Sequence, residues 1–471
     1  MSWSDALTKA LPLLHVLEGR GNEAVFVGGS VRDTLLGKKL KDVDIATSAT
    51  PEEVIAAFPH TIPTGLQHGT VTVVHDGETY EITTFRTESA YEQFRRPSEV
   101  QFVTSLEADL LRRDFTINSM AMRADGTIVD PFRGLTDLRR GVLRCVGDAD
   151  ARLQEDALRI VRAVRFAAAY KLRIAHGTWR AILRHRELLK HIAMERIGLE
   201  LDKMVGGSGP QQAAALLAVS ELLAYTKEPL PEPLAVAAAK YREDKQSSIR
   251  SRLRARQTEE HSSPVQQAAI RALIELAQPE DRWAALCIAL QFTEEQGEEL
   301  FAALKYATAR NAQLAAVIGL HRKLTSSCDS LSREQLSDQW VRLIVGKFGI
   351  AAARGWLRIM RAIPALLPPS LLQLKLDSQS SQQATAGVEL LAELELRMDK
   401  LPAVRLKDLA VRGSDVQDLQ KGRQAGPWLG QTMNELLLAT ALGEVPNEKE
   451  PLLNYAAHLF AIGSVANEES L

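Results

Sequence analysis

The chain has 471 residues, 45% hydrophobic and 25% charged, a balance suited to a sizeable core spread over roughly two to four domains. Its formal net charge of −2 and pI of about 6.6 exclude capture of nucleic acid by the field of the whole molecule, so any such partner must meet a local basic surface. Three scattered cysteines, Cys145, Cys287 and Cys328, exclude a disulfide framework or zinc cluster, and no stretch resembles a secretory signal or reaches membrane-spanning length, so a soluble, cytoplasmic protein is expected.

Residues 1–20 predict an amphipathic helix, with Ala6, Leu7, Leu11, Leu14 and Leu17 at helical spacing. The stretch from Val25 to Thr47 then predicts a short apolar strand, a Gly-Gly turn, a short helix and a second strand. Gly28 and Gly29 present backbone that a phosphate can approach closely, and Arg32 behind them can pair with phosphate oxygens. Asp42 and Asp44 are two apart, which on a strand puts both carboxylates on one face. Two adjacent hard oxygen ligands suit a pair of Mg²⁺ ions. A turn and a solvated strand face are the plain alternatives for each half; their combination favours chemistry.

Thr50, Pro51 and Glu53 predict the capped start of another helix. Gly69 to His75 and Thr79 to Phe85 alternate around Asp76-Gly77, the signature of a β-hairpin. Glu81 on the second strand is either an exposed position or a third acid near the metals. Residues 86–101 lose all period and predict a mobile loop. In the next stretch, Arg112, Arg113 and Asp114 form a charged run unsuited to a core, and Val129 to Gly134 predict a closing turn.

Beyond residue 148 helical periodicity dominates, so an α+β head is followed by a long all-α part. Breaks are expected at 206–210, at 367–370 and across a linker at 377–383, with a polar interruption at 241–262. Residues 155–166 predict one helix with Asp156, Arg159 and Arg162 along one edge. An intrahelical ion-pair ladder is one reading. The other is base recognition, since a carboxylate accepts and a guanidinium donates. Side by side, Asp156 and Arg159 match the amino donor and ring-nitrogen acceptor that cytosine and adenine present. Guanine and uracil present the reverse and would leave buried groups unpaired, at roughly 1–3 kcal/mol each.

These motifs resemble the class II tRNA nucleotidyltransferases, the CCA-adding family, which shares its head with bacterial poly(A) polymerases. The resemblance rests on G-G-S-V-R-D (28–33) with D-V-D (42–44), R-R-D-F-T-I-N-S-M (112–120), D-P-F-R-G (130–134), E-D-A-L-R-I-V-R-A-V-R-F (155–166) and E-R-I-G-L-E-L (195–201). R-G-S-D-V (412–416), A-G-P-W-L-G (425–430) and P-N-E-K-E (446–450) are similar to the family's tail. Ser30 and Ser119 stand where Ala is common in the family.

The resemblance implies a polymerase-β-like nucleotidyltransferase head over residues 1–147, a neck at 148–207, a helical body at 208–320 and a tRNA-binding tail at 321–471. It implies addition of C, C and A to the tRNA 3′ end from CTP and ATP, with Mg²⁺ held by Asp42 and Asp44. Arg112, Arg113 and Asp114 would grip the nucleotide, with Asp114 near the ribose; Asn118, Arg162 and Arg165 would complete its site. Asp156 and Arg159 would read the base, and Asp130 and Gly134 would form a hinge. The 86–101 segment corresponds to the family's flexible loop, which favours A addition as well as CC. No membrane and no obligate protein partner are expected. The competing readings are an A-adding enzyme, a poly(A) polymerase, for which the C-terminal part is insufficiently basic, and a non-catalytic RNA-binding protein.

Overall fold

The computed structural model describes residues 4–88, 91–92, 96–97, 100–231, 234, 264–327, 331–368, 371, 383–420 and 423–468. It divides into two compact units, Met1–Leu230 and Pro231–Leu471. The expected head and neck both lie inside the first.

The first unit opens with helix α1 (Asp5–Glu18), capped by Ser4 and burying Leu7, Leu13, Leu14 and Leu17. Strand β1 (Ala24–Val27) is wholly buried and leads into α2 (Gly29–Leu35) through Gly28, whose φ of 62° lies in the region that favours glycine. Strand β2 (Asp44–Thr47) follows, then α3 (Pro51–Ala57), whose Thr50–Glu53 capping box forms as expected. The hairpin of β4 (Thr70–His75) and β5 (Glu78–Thr84) turns at Asp76 and Gly77, both at positive φ. With β3 (Thr61–Gly65), β10 (Ala121–Met122) and β11 (Ile128–Val129), these strands make a seven-stranded sheet in the order β11-β10-β1-β2-β5-β4-β3. Only the β2–β5 pair is parallel within it. Val25, Val27, Ala46, Phe85, Leu106, Leu110 and Ala121 form one apolar cluster against this sheet.

Four expectations are corrected. Asp42 is not on a strand, because β2 begins at Asp44. Residues 86–101 are not an aperiodic loop throughout: β6 (Arg86–Glu88) pairs antiparallel with β9 (Val100–Phe102), and β7 (Tyr91–Glu92) with β8 (Arg96–Pro97). The tandem charges at 112–114 do not all avoid the core, since Asp114 is only 7% exposed. The helix expected over 155–166 is two helices, α6 (Ala149–Glu155) and α7 (Leu158–Ala169), interrupted at Asp156. Asp156 is extended (φ −134°, ψ 102°), and its carboxylate accepts from the Leu158 N–H at 3.1 Å. A short acceptor that bonds the backbone two residues on competes with the helix and starts a new one.

A short parallel pair, Val142–Leu143 with Arg173–Ile174, fastens the end of the sheet region to the helices. The break at 206–210 separates helices Met194–Val205 and Pro210–Ser220. Gly134 opens a short helix, Gly134–Arg139, under the Asp130 carboxylate, which accepts from the Gly134 and Leu135 N–H groups. A Cβ at Gly134 would collide with the Thr116 carbonyl, so the close approach demands glycine.

The second unit is helical over its described residues. Trp340 and Trp356 are fully buried, with ring centroids 5.5 Å apart. Asp281 holds Arg358 through both carboxylate oxygens at 2.7 and 2.9 Å. Asn447, just before helix Lys449–Glu468, accepts from the Ala410 N–H and donates to the Asp408 carbonyl. The polar interruption at 241–262 and most of the linker at 377–383 lie outside the described residues.

Candidate active site

One cavity of about 870 Å³ in the first unit gathers nearly every candidate. Gly28, Gly29, Arg32, Asp42 and Asp44 line it together with Arg112, Arg113, Asp114 and Asn118; Asp156, Arg159, Arg162 and Arg165 complete the wall.

The floor is the Gly-Gly turn. A Cβ at Gly28 would lie 3.1 Å from Arg113 Nη1 and 3.8 Å from Asp44 Oδ2; one at Gly29 would lie 3.9 Å from the same oxygen. The glycines thus keep open the space between a carboxylate and a guanidinium. Asp44 is fixed where its strand begins, because its N–H donates to the Ser30 hydroxyl at 2.8 Å. Burial pushes the Asp44 carboxyl above its ordinary range; Arg113 and Arg32 oppose the shift, and Glu81 and Asp42 add to it. Two hard carboxylates beside further negative charge suit a divalent cation. Glu81 pairs in register with Asp44 across β2 and β5, yet it is exposed. Among the described residues no three His, Cys, Asp or Glu side chains gather to hold a metal, so Glu81 does not complete a three-acid cluster.

The arginines are oriented by a residue that sequence reasoning missed. Asp109, 1% exposed, accepts from Arg112 Nη2 at 2.8 Å through Oδ1 and from Arg113 Nη2 at 3.0 Å through Oδ2. Burial works to raise its pKa, but the two guanidiniums hold it below the ordinary carboxylate range. The i, i+3 and i, i+4 spacing from Asp109 to Arg112 and Arg113 was a readable signal. Asp114 is likewise an internal anchor. Its Oδ1 accepts from the Phe115 N–H at 2.8 Å and from Asn118 Nδ2 at 3.0 Å; its Oδ2 accepts from Arg162 Nε and Nη2 at 2.9 and 2.6 Å. Burial opposes ionisation there, and Arg162 and Asn118 overcome it and bring the pKa down to about 2.

Arg32, expected to meet phosphate, is buried and engaged by protein. Nε and Nη2 bond the Asp33 carboxylate, Nη1 bonds Asn118 Oδ1, and Nη2 also bonds the Tyr170 hydroxyl. An acid next door and an amide carbonyl satisfy the fork, so Arg32 braces the turn instead.

Asp156, Arg159 and Arg162 do not form an ion-pair ladder. Asp156 pairs with Arg196 at 2.9 Å, Arg159 donates to Glu155 at 2.7 Å and to the Arg112 carbonyl at 2.9 Å, and Arg162 pairs with Asp114. Arg165 bonds the buried Glu200 at 2.5 Å. Arg196 and Glu200 both sit in the E-R-I-G-L-E-L motif, four residues apart on one helix face, a spacing that could have pointed to them.

Three family profiles match along the chain: the poly A polymerase head domain over residues 24–144, a probable RNA and SrmB-binding site of polymerase A over 171–231, and a putative tRNA nucleotidyltransferase domain 2 over 370–456. The chain is 38% identical to the CCA-adding enzyme of Geobacillus stearothermophilus over 442 residues, covering 94% of each. It is 36% identical to that of Latilactobacillus sakei over 456 residues, covering 97% of this chain and 99% of the relative. It is also similar to the crystal structure of the Bacillus stearothermophilus CCA-adding enzyme in complex with CTP, at 33% identity and a TM-score of 0.72 over the full length of both. No helix among the described residues is long and apolar enough to cross a membrane. With full-length similarity, a mixed-sheet head before a helical remainder, and the motif residues in one cavity, the chain belongs to the class II CCA-adding enzymes of the poly(A) polymerase/tRNA nucleotidyltransferase family.

Proposed function

We propose that this chain extends the 3′ end of tRNA by C, C and A, using CTP and ATP and releasing pyrophosphate. The observation that carries the reading is the cavity itself, where the Asp42/Asp44 pair shares one space with Asp156, Arg159 and Arg162. Asp42 and Asp44 would hold Mg²⁺, which when bound activates the primer hydroxyl and neutralises charge on the leaving pyrophosphate. The open backbone at Gly28 and Gly29 admits the triphosphate beside Arg113. Asp109 holds Arg112 and Arg113 in place before the nucleotide arrives, so little side-chain entropy is lost on binding. Asp114 and Glu200 do the same for Arg162 and Arg165. Asp156 and Arg159 face the base edge, and protein side chains stand where a template strand would. The division into head, neck, body and tail, with tRNA held by the tail, belongs to this proposal. So does a cytoplasmic setting, with which the free, buried thiols of Cys145 and Cys287 agree.

The test uses transcripts ending before CCA, after C and after CC, each incubated with single nucleotides. The expected products are one or two C additions on the shorter ends and a single A on the last. A-tails of indefinite length on all three would overturn the reading.

Arg159→Ala is expected to relax base choice. Arg159 is 8% exposed and held by Glu155, so its donors are fixed in direction. Removing them should cost C and A about tenfold in kcat/KM while leaving U and G almost untouched, so that discrimination narrows by that factor. Unchanged selectivity in misincorporation assays would remove Arg159 from base reading.

A further inference from the structure

The strongest unassigned feature is a closed polar circuit that leaves helix α7 and returns to it. It begins at Tyr170, which caps the helix C-terminus and lies outside every motif singled out above. The Tyr170 hydroxyl accepts from Arg32 Nη2 at 2.5 Å and donates to Asp33 Oδ2 at 3.2 Å. Its ring stacks on Phe166 with centroids 6.1 Å apart, and two cations flank it: Arg32 at 4.3 Å from the centroid and Lys38 at 4.0 Å. Lys38 lies in the connection between α2 and β2, the connection that carries Asp42.

From Arg32 the circuit runs to Asn118 Oδ1. The other side of that amide donates to Asp114 Oδ1, and Asp114 Oδ2 receives Arg162. Arg162 is on α7 too, eight residues before Tyr170, two helical turns away. The turn segment bearing Gly28, Gly29 and Arg32 is therefore fastened to one helix at two points. One is the Asp114–Arg162 pair; the other is Tyr170. An amide has one acceptor and one donor end, so Asn118 is held from both sides, Arg32 on its oxygen and Asp114 on its nitrogen, and a shift of Arg32 is passed through it to Asp114. Arg32 in turn is held by Asp33 and Tyr170.

We infer that Tyr170 is a positioning residue: through Arg32, Asn118 and Asp114 it sets the direction in which Arg162 meets the nucleotide. It touches no reacting atom and does not line the cavity. The inference rests on the reading of that cavity as the nucleotide site. Because Arg162 is not assigned to base reading, the effect should be the same for CTP and ATP. That distinguishes it from a disturbance of Asp156 or Arg159, which would separate the two nucleotides.

The test is Tyr170→Phe in the full chain, assayed on the same three transcripts. The change removes both hydrogen bonds of the hydroxyl, from Arg32 and to Asp33, and only the first leads on to Arg162; its loss predicts a KM about tenfold higher for both CTP and ATP, with kcat within about twofold of wild type. Tyr170→Leu, which also removes the ring between the two cations, should raise KM further. In an Arg162→Ala background, Tyr170→Phe should add nothing to KM, because the group it positions is gone. A merely structural role would lower the melting temperature but would leave the same KM penalty in both backgrounds. The inference is overturned if Tyr170→Phe leaves KM unchanged, splits CTP from ATP, or acts equally with and without Arg162. Wild-type extension of the transcripts, run alongside, reports separately on the functional reading.

Discussion

Asp44→Asn is expected to lower nucleotide addition roughly a thousandfold, about 4 kcal/mol of transition-state stabilisation, while raising the melting temperature of the metal-free protein. The two effects have one origin. Burial raises the Asp44 carboxyl above its ordinary value, and Glu81 and Asp42 reinforce the shift against Arg113 and Arg32. A carboxyl raised in the folded state opposes folding when ionised. That penalty is complete above the folded pKa and is absent below the ordinary value of 3.8. Asparagine keeps the size and removes the charge, so the penalty disappears at neutral pH. The backbone N–H bond to Ser30 does not involve the side chain and survives the change. Wild type should gain more thermal stability from added Mg²⁺ than the variant, because only it retains the full carboxylate pair. Melting curves in EDTA and in Mg²⁺, beside an incorporation assay, check all three expectations. Turnover within tenfold of wild type would remove Asp44 from the metal site. A lower melting temperature in EDTA would contradict the electrostatic account.

Much of the cavity was legible in the sequence because its parts are local. Gly28-Gly29, the Asp42/Asp44 pair, the 112–114 run and the 155–166 stretch each read as short patterns of fixed spacing, and each sends residues into one space. What was not legible is which buried group answers which charge. Arg32 reads as a phosphate ligand beside two glycines, yet Asp33, Asn118 and Tyr170 take its donors; the last two are 86 and 138 residues away. The resemblance implies a nucleotide contact for Asp114, but not that its oxygens meet Asn118 and Arg162 within the cavity wall. Asp156 reads as part of a single helix over 155–166 because Leu, Ile and Val continue the helical period past it. The helix breaks there because the Asp side chain caps Leu158 and pairs with Arg196, forty residues downstream. Ser30 reads only as a residue standing where Ala is common in the family, although its hydroxyl fixes the first residue of β2. Tyr170 for Arg32, Arg162 for Asp114, Arg196 for Asp156 and Asp44 for Ser30 all lie beyond the reach of local spacing, and periodicity carries no information about them.

Asp114→Asn is expected to destabilise the protein and weaken nucleotide binding together, with a distinctive dependence on pH. The asparagine oxygen can still accept from Phe115 and Asn118. Its amide nitrogen, however, would face Arg162, donor against donor, with the charge lost. The nearest remaining carboxylate oxygen for Arg162 is Glu200 Oε1 at 3.9 Å, beyond a good hydrogen bond. A carboxyl held at about 2 against an ordinary 3.8 contributes roughly 2 kcal/mol. The lowered folded pKa fixes the sign: the contribution is complete above pH 3.8 and is lost as pH falls through about 2. Wild type and variant should therefore differ by a constant amount in denaturant titrations from pH 7 to about 5 and converge toward pH 2. The same substitution should raise KM for CTP and ATP alike, because the 31% of the Arg162 side chain left exposed faces the cavity without its anchor. A gap that widens on acidification would mean that Arg162 does not hold Asp114 ionised. A gap of the expected shape with unchanged KM would mean that the Asp114–Arg162 pair supports the fold and not the nucleotide.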